Sequence, residues 1–599
     1  MGKSIVGIDL GTTNCALAYA AADEAGDVAG LMIPQVVAAG EVAERAVLPS
    51  FLYLPGEKEL PAEALSLPWK GRSDRVVGAF ARDQGARVPG RLVGSAKSWL
   101  SHAGVDPRGA ILPWASHGDI GKISPVDASA AYLGHLRDAW NARVGKSSAD
   151  RLQHLPVILT VPASFDAAAR AFTMESAQQV GLEHVTLLEE PQAAFYAWLA
   201  DRGEAWRKEV SLGDVILVCD VGGGTTDFTL IGVGEQEGDL VLNRIAVGEH
   251  ILLGGDNMDL ALAYGVAAGL PGGMEGLDSA QRVGLTYACR NAKEALFADL
   301  KKSAAPVAVL GRGSRVIGGS IKTELTREML SQVLLDGFFP KCSADAQPER
   351  GRRAGLSEIG LPYAADAGIT RHLARFLARQ SEAAGSGGAP IRPSAVLFNG
   401  GVFQAEALRA RLLEVVSSWV GHAVPALRSG PLDLAVARGA AYYGGVREGR
   451  GVRIRGGTSR SYYVGIESSA PAVPGVAPGL KAMCVVPMGM EEGTQADVPG
   501  PEFGLVVGEA AEFRFLSSTV RREDAIGTIV ERWNPEELVE HEALVTELPS
   551  DANHPAGQQV PVRLHAHVTE VGTLDLWCRA TRGSGEWKLE YSVRESADA

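Results

Sequence analysis

The chain has few cysteines, no long apolar run and no surplus of positive charge, and each shortage excludes something. Its six cysteines (Cys15, Cys219, Cys289, Cys342, Cys484, Cys578) are scattered through 599 residues with no Cys-x-x-Cys pair. That spacing speaks against a disulfide-stapled or zinc-fingered protein and suits a reducing compartment. No apolar stretch approaches the ~20 residues needed to cross a bilayer. Met1 to Leu10 has neither the apolar core nor the small-residue cleavage site of a secretory leader, and Val6 stands where a myristoylation motif wants Ser or Thr. With 71 acidic against 57 basic side chains, the formal net charge of −14 argues against an electrostatic grip on nucleic acid or anionic lipid. The expectation is a soluble, cytoplasmic protein with neither a nucleic-acid nor a membrane partner.

What is present is ordinary globular composition, 46% apolar and 21% charged, in a length that predicts about four folding units. Glycine is the exception: 72 residues, about 12% against an average near 7%. That excess implies many positions where the backbone turns sharply or approaches something closely.

The most informative feature is a repeat 211 positions apart. Ile5-Val6-Gly7-Ile8-Asp9 runs into Leu10-Gly11-Thr12-Thr13-Asn14, and Val215-Ile216-Leu217-Val218-Cys219-Asp220 runs into Val221-Gly222-Gly223-Gly224-Thr225-Thr226-Asp227. Each copy is a β-branched apolar run that ends in an aspartate, breaks into a glycine–threonine turn and resumes as an apolar segment, Ala16 to Ala20 or Phe228 to Val233. Each therefore predicts a β-hairpin with a polar tip, and the pair predicts two related lobes of about 200 residues. Between them, Leu155 to Val161 reads as a strand, Asp166 to Val180 as a helix closed by Gly181, and Val185 to Leu188 as a strand followed by a helix from Gln192. Strand, helix, strand of this size predicts a parallel crossover. Further helices are expected after Gly254-Gly255-Asp256, over Ala288 to Leu300 and over Ala405 to Val416. A strand over Ser394 to Phe398 is expected to break at Asn399-Gly400-Gly401, after a flexible loop from Glu382 to Pro390.

Near Gly444 to Arg460 the texture turns to Gly, Arg and Ser, and short alternating segments follow. In Val560 to Val568 every second residue is apolar, the period of a half-buried strand. The expected organisation is α/β over 1–447, a linker over 448–460 and a β-sandwich-like unit over 461–599. That unit is expected to end after its last strand without a helical tail. Phe338 to Ala367 reads as an irregular insertion.

A glycine–threonine turn presents backbone N–H groups and a hydroxyl, an anion-binding concavity, and two facing turns could clamp a phosphate chain. Asp9 and Asp220 beside the turns would repel phosphate by about 4 kcal/mol each at 4 Å and an effective dielectric near 20. A hydrated Mg²⁺ between them removes that cost, because it binds through one or two carboxylates and keeps its waters. The pair predicts a Mg-nucleotide. Gly145-Lys146-Ser147 fails as a P-loop, since Trp140 occupies the first glycine position. His565 and His567 suggest no third metal ligand and read as a polar strand face. Asp256 and Asp259 are equally suited to a helix start and to function.

These residues resemble a known family. Gly7 to Asn14, Asp220 to Thr225, Leu253-Gly254-Gly255-Asp256, Thr160-Val161-Pro162-Ala163 and Glu190-Pro191-Gln192-Ala193-Ala194 together are similar to the DnaK-type, 70-kilodalton heat-shock chaperones, in order over roughly residues 3 to 445. The resemblance implies a two-lobed actin-like ATPase fold, a duplicated mixed sheet with helices, binding ATP, Mg²⁺ and K⁺ at the base of its cleft. It implies that Gly11, Thr12, Thr13 and Asn14 grip the triphosphate and that Asp9 and Asp220 hold the hydrated metal. Glu190 would position metal waters or the attacking water, and Thr225 and Asp227 would lie near the γ-phosphate. Gly222, Gly223 and Gly224 would form the second phosphate turn, with Gly254 and Gly255 nearby. Lys293 matches the family's adenosine-contacting helix, and Gly400 and Gly401 its nucleotide-side turn. It further implies ATP hydrolysis coupled to binding of unfolded polypeptide, with a J-domain co-chaperone and a nucleotide exchange factor as partners.

The departures are specific. The family's catalytic lysine aligns with Arg82, which keeps the charge but cannot give up a proton. Lys97 matches a different family lysine and is not read as its replacement. Arg290, Glu294, Phe297, Val402 and Gln404 replace types usual at the adenosine face. Gly451 to Gly457 is basic and glycine-rich where the family has an acidic–aliphatic linker. Thr569 to Leu574 carries a weak resemblance to the peptide-binding sandwich, and the helical lid is missing. A metabolite kinase on the same fold and an interaction protein with a decayed ATPase are the alternative readings.

Overall fold

The computed structural model describes residues 4–589 apart from 22–27, 58, 62, 71–72, 103, 115, 117–119, 237, 310–320, 350–360, 362, 384–390, 456, 459, 468–479, 492, 509, 542–543, 548–554, 570–573 and 584. Most of the Glu382 to Pro390 loop, part of the Phe338 to Ala367 insertion, Glu570 to Thr573 and everything after Leu589 lie outside the described residues.

Both repeats are antiparallel hairpins. Ser4–Leu10 pairs with Asn14–Ala21, and Val215–Val221 pairs with Thr226–Gln236. Each hairpin is the middle of a larger motif with one connectivity. On one side an antiparallel third strand follows, Val28–Gly30 or Asp239–Val247. On the other side two parallel strands are added, Val157–Val161 then Val185–Glu189 in the first sheet, and Ala395–Asn399 then Ala426–Leu427 in the second. Val157–Val161, Val185–Glu189 and Ala395–Asn399 are buried along their length, as strands covered on both faces must be. The crossover helices, Ala167–Gln179 and Glu406–Val420, occupy corresponding places. Asp166 caps the first by accepting from Ala169 N–H. The duplication read from two short motifs thus extends to ten strands and their crossovers.

After its last strand each motif continues into a helix, Glu190–Arg202 and Leu432–Arg447. These two helices pack on each other, and each also lies against the other motif's sheet. One apolar core contains Ile5, Ile158, Phe195 and Trp198 with Ile216, Val218, Leu397 and Ala440. Glycine makes the crossing close: a Cβ on Gly439 would sit 1.7 Å from the Ala193 carbonyl oxygen, and one on Gly7 2.2 Å from the Ala437 carbonyl oxygen.

Each lobe carries an insertion above the cleft. The first lobe adds short strands and Ala79–Gly85; the second adds the helices Gly255–Ala267 and Ser279–Ala298 and the strand pair Ala304–Val309 and Ile321–Thr326. Beyond Arg455 the elements of the described residues are all strands. A sheet built on Ser461–Glu467 and Leu480–Val486 faces one built on Gln559–Val568 and Leu574–Ala580, enclosing Tyr462, Val464, Met483, Val562, Leu564 and Leu576. This β-unit rests on both lobes: on the first, Arg460 donates to the Ser164 carbonyl at 2.6 Å and His541 Nδ1 lies 3.4 Å from Asp166 Oδ2, and on the second, Arg522 donates to Gln380 and Arg379 to the Glu536 carbonyl. Burial would raise the Asp166 carboxyl, but His541 and the capped N–H hold it down at about 2.

Gly439→Ala inserts a methyl group where a backbone oxygen already stands, so it should destabilise the two-lobed part by about 2 kcal/mol. A fall in the chemical-denaturation midpoint checks this, and an unchanged midpoint would show that the helix crossing tolerates a side chain.

Candidate functional site

The two hairpin tips meet. A Cβ built on Gly223 would lie 1.6 Å from Thr13 Oγ1, and one on Gly224 2.9 Å from Thr12 Cγ2. Only glycine lets the second turn approach the first this closely. Each turn is braced from behind. Ser50 Oγ donates to the Gly11 carbonyl at 2.6 Å and its N–H to the Thr13 carbonyl at 2.8 Å. Gly255 N–H and Asp256 N–H donate to the carbonyls of Gly222 and Gly223, at 3.0 and 2.7 Å. Gly400, at φ +87°, brings a third turn against the second strand end. Its missing Cβ would lie 2.2 Å from the Val221 carbonyl oxygen.

Between these turns lies a cavity of about 470 Å³. Asp9, Gly11, Thr12, Thr13, Asn14, Glu190, Asp220, Gly222, Gly223, Thr225, Gly255, Lys293, Gly400 and Gly401 all line it. Asp9 and Asp220 therefore share one cavity wall-to-wall, each at the end of the central strand of its motif. Glu190 enters from the first residue of the crossing helix. Thr160 Oγ1 donates to Asp9 Oδ1 at 3.3 Å, and Asn399 Nδ2 donates to Asp220 Oδ2 at 2.8 Å. Gly224 packs against Thr12 and Ser98, Asp227 is buried beneath the second turn, and Gly254 is tied back through Asn257, so these three support the cavity from outside its lining.

A family model described as Hsp70 protein matches residues 5–344, more than half of the chain. The chain belongs to the Hsp70 family. Its two-lobed α/β part, followed by β-rich structure, has the actin-like fold of that family's ATPase domain. Curated relatives include proteins named chaperone protein HscA homolog. That of Bordetella pertussis is 31% identical over 334 residues, 55% of this chain and 46% of the relative. That of Methylococcus capsulatus is 32% identical over 336 residues, 55% and 48%. That of Actinobacillus pleuropneumoniae serotype 5b is 32% identical over 274 residues, 44% and 37%. The match spans under half the length of these relatives.

One residue assigned by the Hsp70 resemblance is not brought to the cavity. Arg82 lies in Ala79–Gly85 with its side chain 39% exposed and its Nε donating to Asp83 Oδ1 at 2.8 Å. Asp83 follows it in sequence and captures the guanidinium at the surface. Among the described residues, the cation paired with Glu190 is Lys97, only 3% exposed. Spacing along the chain gave no signal for that exchange, because the two residues reach the same neighbourhood from different helices. Asp256 and Asp259 prove to hold a side chain: both bind Arg290, with Arg290 Nε donating to Asp259 Oδ2 at 2.5 Å, and Lys293 Nζ lies 2.7 Å from Asp259 Oδ1. His565 is held by Asp497 at 2.7 Å on its strand face.

Asp9, Glu190 and Asp220 line the cavity, and Asp227 is buried just outside its lining. Burial and then the charge of Glu190 raise Asp9 to about 7, against the opposing pull of Lys97 and the Thr160 hydroxyl. Burial, Glu190 and Asp227 push Asp220 well above the carboxylate range, and burial raises Glu190 and Asp227 as well. Thr13 Oγ1, Asp227 Oδ1 and Asn399 Oδ1 are buried with no hydrogen-bond partner. The facing glycine–threonine turns, orphaned oxygens and unbalanced carboxylates fit a polyanion together with a cation. Among the described residues no three His, Cys, Asp or Glu side chains are arranged to hold a metal directly.

Because the native state holds extra protons on Asp9 between about pH 4 and 7, the metal-free protein should lose stability as pH rises through that window. Asp9→Asn should flatten this limb and raise the melting temperature at pH 8. A steeper limb, or a lower melting temperature there, would contradict the repulsion described.

Proposed function

We propose that the chain is an ATP-binding, ATP-hydrolysing chaperone of the Hsp70 type, in which nucleotide state governs the affinity of the β-unit for unfolded polypeptide. The carrying observation is the contact of the two glycine–threonine turns over a cavity lined by Asp9, Glu190 and Asp220, with Asp227 acting on Asp220 from behind. Asp9 and Asp220 would hold a hydrated Mg²⁺, which when bound neutralises phosphate charge. The N–H groups of Gly11 to Asn14 and of Gly223 to Thr225 would donate to phosphate oxygens, each charge-assisted bond contributing roughly 1.5–3 kcal/mol, while the Gly222 N–H closes the second turn on the Thr225 carbonyl at 2.9 Å. Glu190 would orient the attacking water, and Thr225 and Asp227 would face the terminal phosphate. Phosphoryl transfer of this type is mainly positioning and electrostatics, which this set of residues provides. Arg290 and Lys293, tied to Asp256 and Asp259, would form the nucleoside end beside Gly400 and Gly401. K⁺, a J-domain co-chaperone and an exchange factor belong to this reading through the family.

Coupling has a structural basis in the loop Pro162 to Asp166. It follows the strand whose Thr160 bonds Asp9, and it carries the Ser164 and Asp166 contacts to the β-unit. A change at the cavity that moves this strand would move the β-unit's seat, and a shift of 1–3 kcal/mol between two docked states corresponds to a 5- to 150-fold change in affinity, roughly.

Mg-ATP should raise the melting temperature above that with Mg²⁺ alone, and Asp220→Asn or Thr225→Ala should abolish phosphate release. Absence of any ATP-dependent stabilisation would refute nucleotide binding. Transfer of phosphate to an added sugar, with none to water, would favour a metabolite kinase instead.

A further inference from the structure

We propose that Lys97 is the positioning cation of the nucleotide site, its ammonium holding the Glu190 carboxylate in place beside Asp9, the part that alignment gives to Arg82. This rests on the reading that the cleft hydrolyses Mg-ATP. Lysine is almost never fully buried without a partner, and Lys97 is 3% exposed with its Nζ on Glu190 Oε1. Among the described residues Lys97 is the lysine that meets this carboxylate cluster, with Asp9 and Glu190 both acting on it electrostatically.

The backbone that delivers Lys97 is unusual. Ser95, which begins the short helix Ala96–Trp99, has φ +53°, the single non-glycine positive φ among the described residues. Such strain persists where the surroundings enforce it, and it clusters at functional sites. Here the enforcing contacts come from the other lobe: Ser95 Oγ donates to Asp256 Oδ2 at 3.1 Å, and Ser98 Oγ lies 3.0 Å from where a Gly224 Cβ would be. The segment 95–99 thus spans from the first lobe to the second phosphate turn and turns Lys97 under it. Arg82, by contrast, ends on Asp83 at the surface. A buried ion pair is seldom retained for stability, since apolar replacements of similar volume are often neutral.

The test uses the full chain and the variants Lys97→Met, Lys97→Arg, Glu190→Gln and the Met/Gln double variant. It reads kcat for phosphate release, the calorimetric Kd for Mg-ATP and the melting temperature. Lys97→Met should lower kcat about 100-fold, while Kd stays within about threefold, a loss confined to the transition state. Lys97→Arg should regain about tenfold of that loss by returning the charge. The double variant should be no slower than the slower single variant, as expected of two residues acting as one unit. A Lys97→Met kcat within about threefold of the parent's, equal losses in kcat and binding, or additive losses in the double variant overturn the proposal. So does a 100-fold loss in Arg82→Ala with none in Lys97→Met. A parent that neither binds nor hydrolyses Mg-ATP removes the functional reading and this proposal together, whereas an active parent with an indifferent Lys97 removes only the proposal.

Discussion

The repulsion among four carboxylates buried where two sheets meet is the constraint on which the rest of the structure depends. Asp9 and Asp220 stand at the ends of the central strands of two like motifs, and Glu190 and Asp227 add to the same pocket of charge. A protein selected only for stability would not keep them together. They are tolerated because the surrounding framework is rigid enough to enforce the arrangement, and because Lys97, Thr160 and Asn399 offset part of the charge. On the proposed reading, the remaining imbalance would draw in a cation and, through it, phosphate.

The framework is rigid because the duplication closes on itself. Each motif sends its last helix across to the other sheet, so neither lobe has an independent core at the crossing. Gly439 and Gly7 allow backbone to meet backbone there, and a side chain at either position would push the lobes apart. The same logic acts at the tips, where Gly223 and Gly224 admit Thr13 and Thr12. Glycine's abundance in the chain has its clearest physical reason at these approaches.

The β-unit extends the chain of contacts outward. Glu189, next to Glu190, is buried between Arg170 and Arg244, and Arg244 also donates to the Gly457 carbonyl at the entry to the β-unit. With Ser164 to Arg460 and Asp166 to His541, three contacts of different kinds bind the β-unit to the elements that carry Thr160 and Glu190. Across these contacts the cavity and the β-unit are separated by little more than one strand and one loop.

Much of this was legible in the residues before any coordinates. The hairpins, their facing turns and the α/β crossover followed from apolar runs that end in Asp and break into Gly and Thr, because strand period and turn chemistry are local properties. So did the helix capped by Asp166 and closed by Gly181. The chain by itself also pointed to the type of ligand now proposed, since paired aspartates beside anion-binding turns would admit phosphate only with a metal. What only the tertiary structure decided was which cation meets Glu190. Arg82 occupies the aligned position, yet the neighbouring Asp83 keeps it at the surface, while a strained turn at Ser95, held by Asp256 from the other lobe, brings in Lys97. Partnership between side chains far apart in sequence depends on where helices of different lobes come to rest, and packing alone sets that.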